Sequence, residues 1–153
     1  MRSTFPRWMP VLLLALLPLA VNADDAPAVS DAWARATPPG VEVGAAYIVI
    51  TGGSRADQLV GASTPRAAMV HLHEVVETDG VAKMRAIDAV SIPAGARVTL
   101  APTGRHLMLM GLSGPLVAGQ TFPLTLRFAG SAAQTVTVTV RAATDDPGSH
   151  VHH

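Results

Sequence analysis

Met69-Val70-His71-Leu72-His73-Glu74-Val75-Val76-Glu77-Thr78-Asp79-Gly80-Val81-Ala82-Lys83-Met84 reads as two apolar runs around an Asp-Gly pair. Asp-Gly accepts the left-handed backbone of a tight turn. The stretch therefore predicts two antiparallel strands, Met69–Val76 and Val81–Ile87, joined by the loop Glu77–Gly80. Side chains alternate along a strand, so His71 and His73 face one way and Val70 and Leu72 the other. With a four-residue loop, Val76 pairs with Val81, His73 stands opposite Met84, and Glu74 meets Lys83. A two-residue Asp79-Gly80 loop moves Met84 to a diagonal position on the same face. Lys83 and Arg85 share the face of Leu72, which predicts a hairpin near a sheet edge, where long side chains reach water.

The same punctuation continues on both sides. Strands are expected at Asp31–Thr37, Gly44–Thr51, Asp57–Ala62, Ala89–Ile92, Arg97–Leu100, Arg105–Leu112, Thr121–Ala129 and Gln134–Ala142. Pro38-Pro39-Gly40, Gly52-Gly53-Ser54, Pro93-Ala94-Gly95 and Pro102-Thr103-Gly104 separate them. Gly44–Thr51 is β-branched and reads as a buried strand. Gln134–Val140 alternates Thr and Val without a break. No long amphipathic helix follows the first 23 residues. Many short strands with Gly/Pro turns read as an antiparallel β-sandwich or barrel.

Residues 1–23 form a separate unit. Arg2 and Arg7 make a positive start, Val11–Ala20 is apolar, and Val21-Asn22-Ala23 offers a cleavage site. The pattern is a Sec-type signal peptide, too short to span a bilayer comfortably. It predicts export, to the periplasm in a Gram-negative host. Residues 24–142 are then one β domain and 143–153 a flexible tail.

The chain has 153 residues, 49% of them hydrophobic, enough for one modest core. Without residues 1–23 it carries nine basic and eleven acidic residues, a net of −2. With no basic run, nucleic acid is not an expected partner, nor is a membrane surface once the leader is removed. The absence of cysteine excludes disulfides, thiolate metal cages, iron–sulfur clusters and thiol nucleophiles.

What remains is a donor set built from histidine and methionine. His106-Leu107-Met108-Leu109-Met110 again puts His and Met on one face and Leu on the other. His73, Met84, His106 and Met108 follow the pattern His-x10-Met-x21-His-x-Met. Thioether sulfur is soft and uncharged, and imidazole is borderline. The set suits Cu(I) and discriminates against metals that prefer oxygen. Imidazole must be neutral to ligate, so binding weakens as pH falls through the histidine range.

That pattern is the binding signature of the periplasmic copper chaperone family PCuAC, also called DUF461, which this chain resembles. The resemblance extends to Asp31-Ala32-Trp33-Ala34-Arg35-Ala36, Gly44-Ala45-Ala46-Tyr47, Leu72-His73-Glu74, Lys83-Met84-Arg85, Pro93-Ala94-Gly95 and His106–Leu112. It covers about Val29 to Arg141. It implies a cupredoxin-like β-sandwich of Greek-key type and a Cu(I) carrier, with His73, Met84, His106 and Met108 as ligands. The recipient it implies is the CuA centre of cytochrome c oxidase subunit II, with a thioredoxin-fold copper chaperone as co-worker. Thr103-Gly104 stands where relatives often carry two glycines.

Other residues carry lesser readings. His71 shares the face of His73 but falls outside the spacing; it reads as a solvated strand histidine, with a ligand role as the alternative. Met69 and Met110 read as packing side chains, with an outer-shell or docking role as the alternative. Trp33 and Tyr47 read as core. His150, His152 and His153 in the tail offer a second, Cu(II)-type donor set. No Ser-His-Asp order and no cluster of acids stands out, so the expectation is a monomeric binding protein and not an enzyme. Copper storage, detoxification or uptake unrelated to an oxidase, and a metal-free structural β-sandwich, are the competing functions.

Overall fold

Alternation along the chain becomes ten strands in a computed structural model that describes residues 23–145. They are β1 (Ala28–Arg35), β2 (Val43–Thr51), β3 (Asp57–Ser63), β4 (Ala67–Thr78), β5 (Val81–Ala86), β6 (Val90–Ile92), β7 (Arg97–Thr99), β8 (His106–Leu112), β9 (Thr121–Phe128) and β10 (Gln134–Arg141). The predicted signal peptide up to Asn22, and the tail histidines His150, His152 and His153, lie outside the described residues. Among those described there is no α-helix, and none long and apolar enough to cross a membrane.

Hydrogen bonding runs β5-β4-β8-β2-β1-β10-β9-β3-β6, with β7 on β2. A further pairing of β3 with β4, at Ala62 and Val70, closes the path. The result is barrel-like: β4, β8, β2, β1, β10, β9 and β3 form a ring, and β5, β6 and β7 are flaps on it. The expectation of a wholly antiparallel sheet needs one correction. β1 and β10 run parallel, from Trp33 beside Thr139 to Arg35 beside Arg141. Parallel neighbours need a long crossover, and here almost the whole domain supplies it.

Inside the ring the alternating residues of each strand meet. Val138 and Val140 are buried while Thr137 and Thr139 face water. Phe122, Leu124, Leu126 and Phe128 do the same on β9. Strand β2 is buried on both faces from Ala46 to Ile50. Ala46, Ile48 and Ile50 point into the core; Tyr47 and Val49 lie on the outer face, beside β7 and the segment through Pro102. Leu72, Leu107 and Leu109 enter the core from β4 and β8, so the partition of leucine inward and His/Met outward holds on both strands.

The β4–β5 hairpin differs from the four-residue expectation. Asp79 and Gly80 both take positive φ, 53° and 75°, which makes a two-residue turn whose twist matches its strands. Glu77 and Thr78 therefore join the ladder, and Thr78 pairs with Val81. Val75 faces Met84, and His73 faces Ala86. Glu74 faces Arg85 instead of Lys83 and accepts a hydrogen bond from Arg85 Nε at 2.6 Å. The edge expectation holds, since all six residues of β5 are exposed.

Candidate metal centre

Two strands distant in sequence bring the candidate donors together. β4 and β8 are direct neighbours, and three donor pairs oppose one another: Met69 with Met110, His71 with Met108, and His73 with His106. Directly opposed Cβ atoms lie about 4.5–5.5 Å apart, within reach of one shared ion. The imidazole centroids of His73 and His106 are 5.9 Å apart. Hairpin geometry alone does not reveal this adjacency, because no turn joins the two strands.

The β8 side is rigidly framed. His106 is only 4% exposed although it lies on the outer face. It extends a row of rings across four strands, Trp33 on β1, Tyr47 on β2, His106 on β8 and His73 on β4. Trp33 and Tyr47 are 4.5 Å apart, and Tyr47 and His106 6.5 Å. Trp33 and Tyr47 are thus buried as expected, but they belong to this outer row and not to the barrel core. Arg141 lays its guanidinium over Trp33, 4.9 Å from the ring centre.

Hydrogen bonding settles which nitrogen of His106 is available. Its Nδ1 lies 3.2 Å from the carbonyl oxygen of Gly104. A carbonyl only accepts, so Nδ1 carries the proton and Nε2 keeps its lone pair. Backing a ligating histidine with a carbonyl is the usual way its tautomer is set. His73 shows the complementary feature: its Nδ1 is buried and has no hydrogen-bond partner. Burial, followed by the nearby imidazoles of His106 and His71, holds the His73 pKa below 6.5. A histidine kept neutral with an unused buried nitrogen is prepared for a cation that brings its own bond.

Met84 joins from the hairpin. It sits diagonal to His73, on the same face, where a long side chain still reaches. A cavity of about 360 Å³ is lined by Met84, His106 and Met108 together with Tyr47 and Pro102. Among the described residues no three His, Cys, Asp or Glu side chains gather into a cage. The donors that do converge on this face are imidazoles and thioethers, a set that suits a soft ion.

The family described as "Putative lipoprotein LpqE-like" matches residues 27–140. This chain belongs to that LpqE-like, PCuAC-type family. A relative from Leifsonia xyli subsp. xyli, "Putative lipoprotein Lxx21020", is 40% identical over 114 residues, covering 74% of this chain and 68% of its own length. Among solved structures, the copper-bound PCuAC domain of PmoF2 is similar with a TM-score of 0.66 at 25% identity, over 79% of this chain and 97% of that one. The Cu(I) form of DR1885 from Deinococcus radiodurans gives 0.60 at 31% identity, over 80% and 81%. The family resemblance read from the sequence is therefore borne out.

Proposed function

We propose that this LpqE-like protein carries Cu(I) at a site formed by His73, Met84, His106 and Met108. The observation that supports the reading most is the convergence of Met84, His106 and Met108 on one cavity, beside the partnerless buried nitrogen of His73. The copper-bound PmoF2 domain and Cu(I)-DR1885 support it from outside. The donor set is neutral throughout, so Cu(I) keeps its charge and the site binds without a closed thiolate cage. Such a site gives up its cargo more readily than a cage does.

The domain we assign is residues 24–142, exported by cleavage of residues 1–23 to the periplasm, with 143–153 as an appended tail. The fold is finer-grained in our reading as a cupredoxin-like Greek-key sandwich. Its recipient is the CuA site of cytochrome c oxidase subunit II, reached directly or through a thioredoxin-fold copper chaperone. Although its relatives are called lipoproteins, the 153 residues hold no cysteine to carry a thioether-linked lipid.

Anaerobic Cu(I) titration against a competing chelator tests the site, run beside a Met84→Leu/Met108→Leu variant. X-ray absorption counts the ligands. One tight equivalent with mixed sulfur and nitrogen ligation, lost in the variant, is the expected result. Equal binding by both proteins overturns the assignment.

A further inference from the structure

Three soft or borderline donors on the same face are left unused by that site: Met69, His71 and Met110. They are not scattered. Met69 directly opposes Met110, and His71 directly opposes Met108. The ring of His71 stacks on that of His73 at 6.2 Å. The six donors thus form a ladder two side chains wide and three rungs long, with His73 and His106 at one end and the methionine pair at the other.

Packing does not account for Met69 on the outer rung. Met69 is 54% exposed, and a side chain that fills a core gap is not. On the β2 side the face continues as apolar Val43 opposite Met110 and Ala45 opposite Met108, while Arg35 lines the inner cavity with Met84, His106 and Met108. Beyond His71, a cavity of about 280 Å³ is bordered by Asp88 and Arg127. A carboxylate oxygen is a hard donor and a guanidinium is no donor, so a soft ion is better served on the methionine side.

We propose that Met69, His71 and Met110 form a second, outer Cu(I) station that shares Met108 with the site described above. The inference rests on that copper reading and extends it. Cu(I) passes between stations by exchanging one neutral donor for another: a bond to an inner ligand breaks as a bond to an outer one forms. Met108 stays attached throughout, and neither electrons nor protons move.

The test uses the full chain with ¹³C-methyl methionine, titrated anaerobically with Cu(I), beside a Met69→Leu/Met110→Leu variant. Leucine conserves volume, and Met69 is exposed, so the variant keeps the fold. The methyls of Met84 and Met108 are expected to shift with the first equivalent, and those of Met69 and Met110 between the first and second. In the variant the second step disappears and release of copper to a chelator slows several-fold. Met69 and Met110 methyls that stay still through two equivalents overturn the station, as does a second step that survives in the variant. Shifts at Met69, Met108 and Met110 without any at Met84 overturn the four-ligand site and leave the outer station standing.

Discussion

His73 and Gly104 are linked through the backbone of a single strand. The Gly104 carbonyl accepts the Nδ1 hydrogen of His106 and also the N–H of Val75, two residues beyond His73, each at 3.2 Å. One oxygen therefore fixes the tautomer of one histidine and the seating of the strand that bears the other. The site's two walls are held to a common point before any ion arrives.

Replacing Met84 by leucine separates chemistry from packing. The side chain is 52% exposed, so stability changes by less than about 0.5 kcal/mol. Cu(I) affinity falls by more than roughly a hundredfold, beyond the scale of losing an outer-shell partner. Chelator competition and thermal denaturation on the same sample measure both.

His73 titrates below the ordinary imidazole value of 6.5. The depressed pKa belongs to the folded state, so protonation favours the unfolded chain. The contribution of His73 to stability is full above 6.5 and is lost as pH falls through the folded pKa. The His73–copper bond, which needs the neutral ring, is expected to persist to lower pH than an ordinary imidazole would allow. A ¹³C-edited NMR titration of the ring proton should give a midpoint below 6.5, and a midpoint at or above it contradicts the account.

Asp57 is the domain's buried carboxylate, only 9% exposed. Burial by itself raises its pKa, but the Ser131 hydroxyl at 2.6 Å and the N–H groups of Gln58 and Gly130, each at 2.7 Å, outweigh it and hold it below 3.8, with help from Arg55. The stabilisation is present above the ordinary carboxylate range and fades as pH drops through the lowered pKa. Asp57→Ala strands three donors and should cost about 3 kcal/mol. Urea denaturation should show that loss at pH 7, and a smaller one near pH 3.

Gly111 lies beside the outer rung with φ of 67°. A Cβ there meets the Cβ of Ala68 at 2.9 Å. Gly111→Ala should therefore cost at least about 1–2 kcal/mol, from the left-handed backbone alone. A midpoint in urea equal to that of the parent protein contradicts this.

Much of this was readable from the chain. Strict alternation in Gln134–Val140 and the Leu/His/Met partition in both site strands gave the strands and their inner faces correctly. The four-residue hairpin register fails and the two-residue alternative holds, because Asp79-Gly80 closes the turn alone; periodicity does not say whether Glu77 and Thr78 belong to loop or ladder. The placement of β4 against β8 was beyond local pattern, since it depends on how the barrel closes. The same holds for the ring row from Trp33 to His73, which spans four strands, and for Gly104, whose role lies in a backbone oxygen. No residue type announces such a role.

Strand β5 hydrogen-bonds to β4 alone and buries none of its six residues, whereas β8 lies between β4 and β2 with Leu107 and Leu109 in the core. His106 and Met108 are thus set in a wall, and Met84 is mounted on a door. Swinging the door exposes no core leucine, so the cavity can open to a partner at a small fraction of the free energy of unfolding.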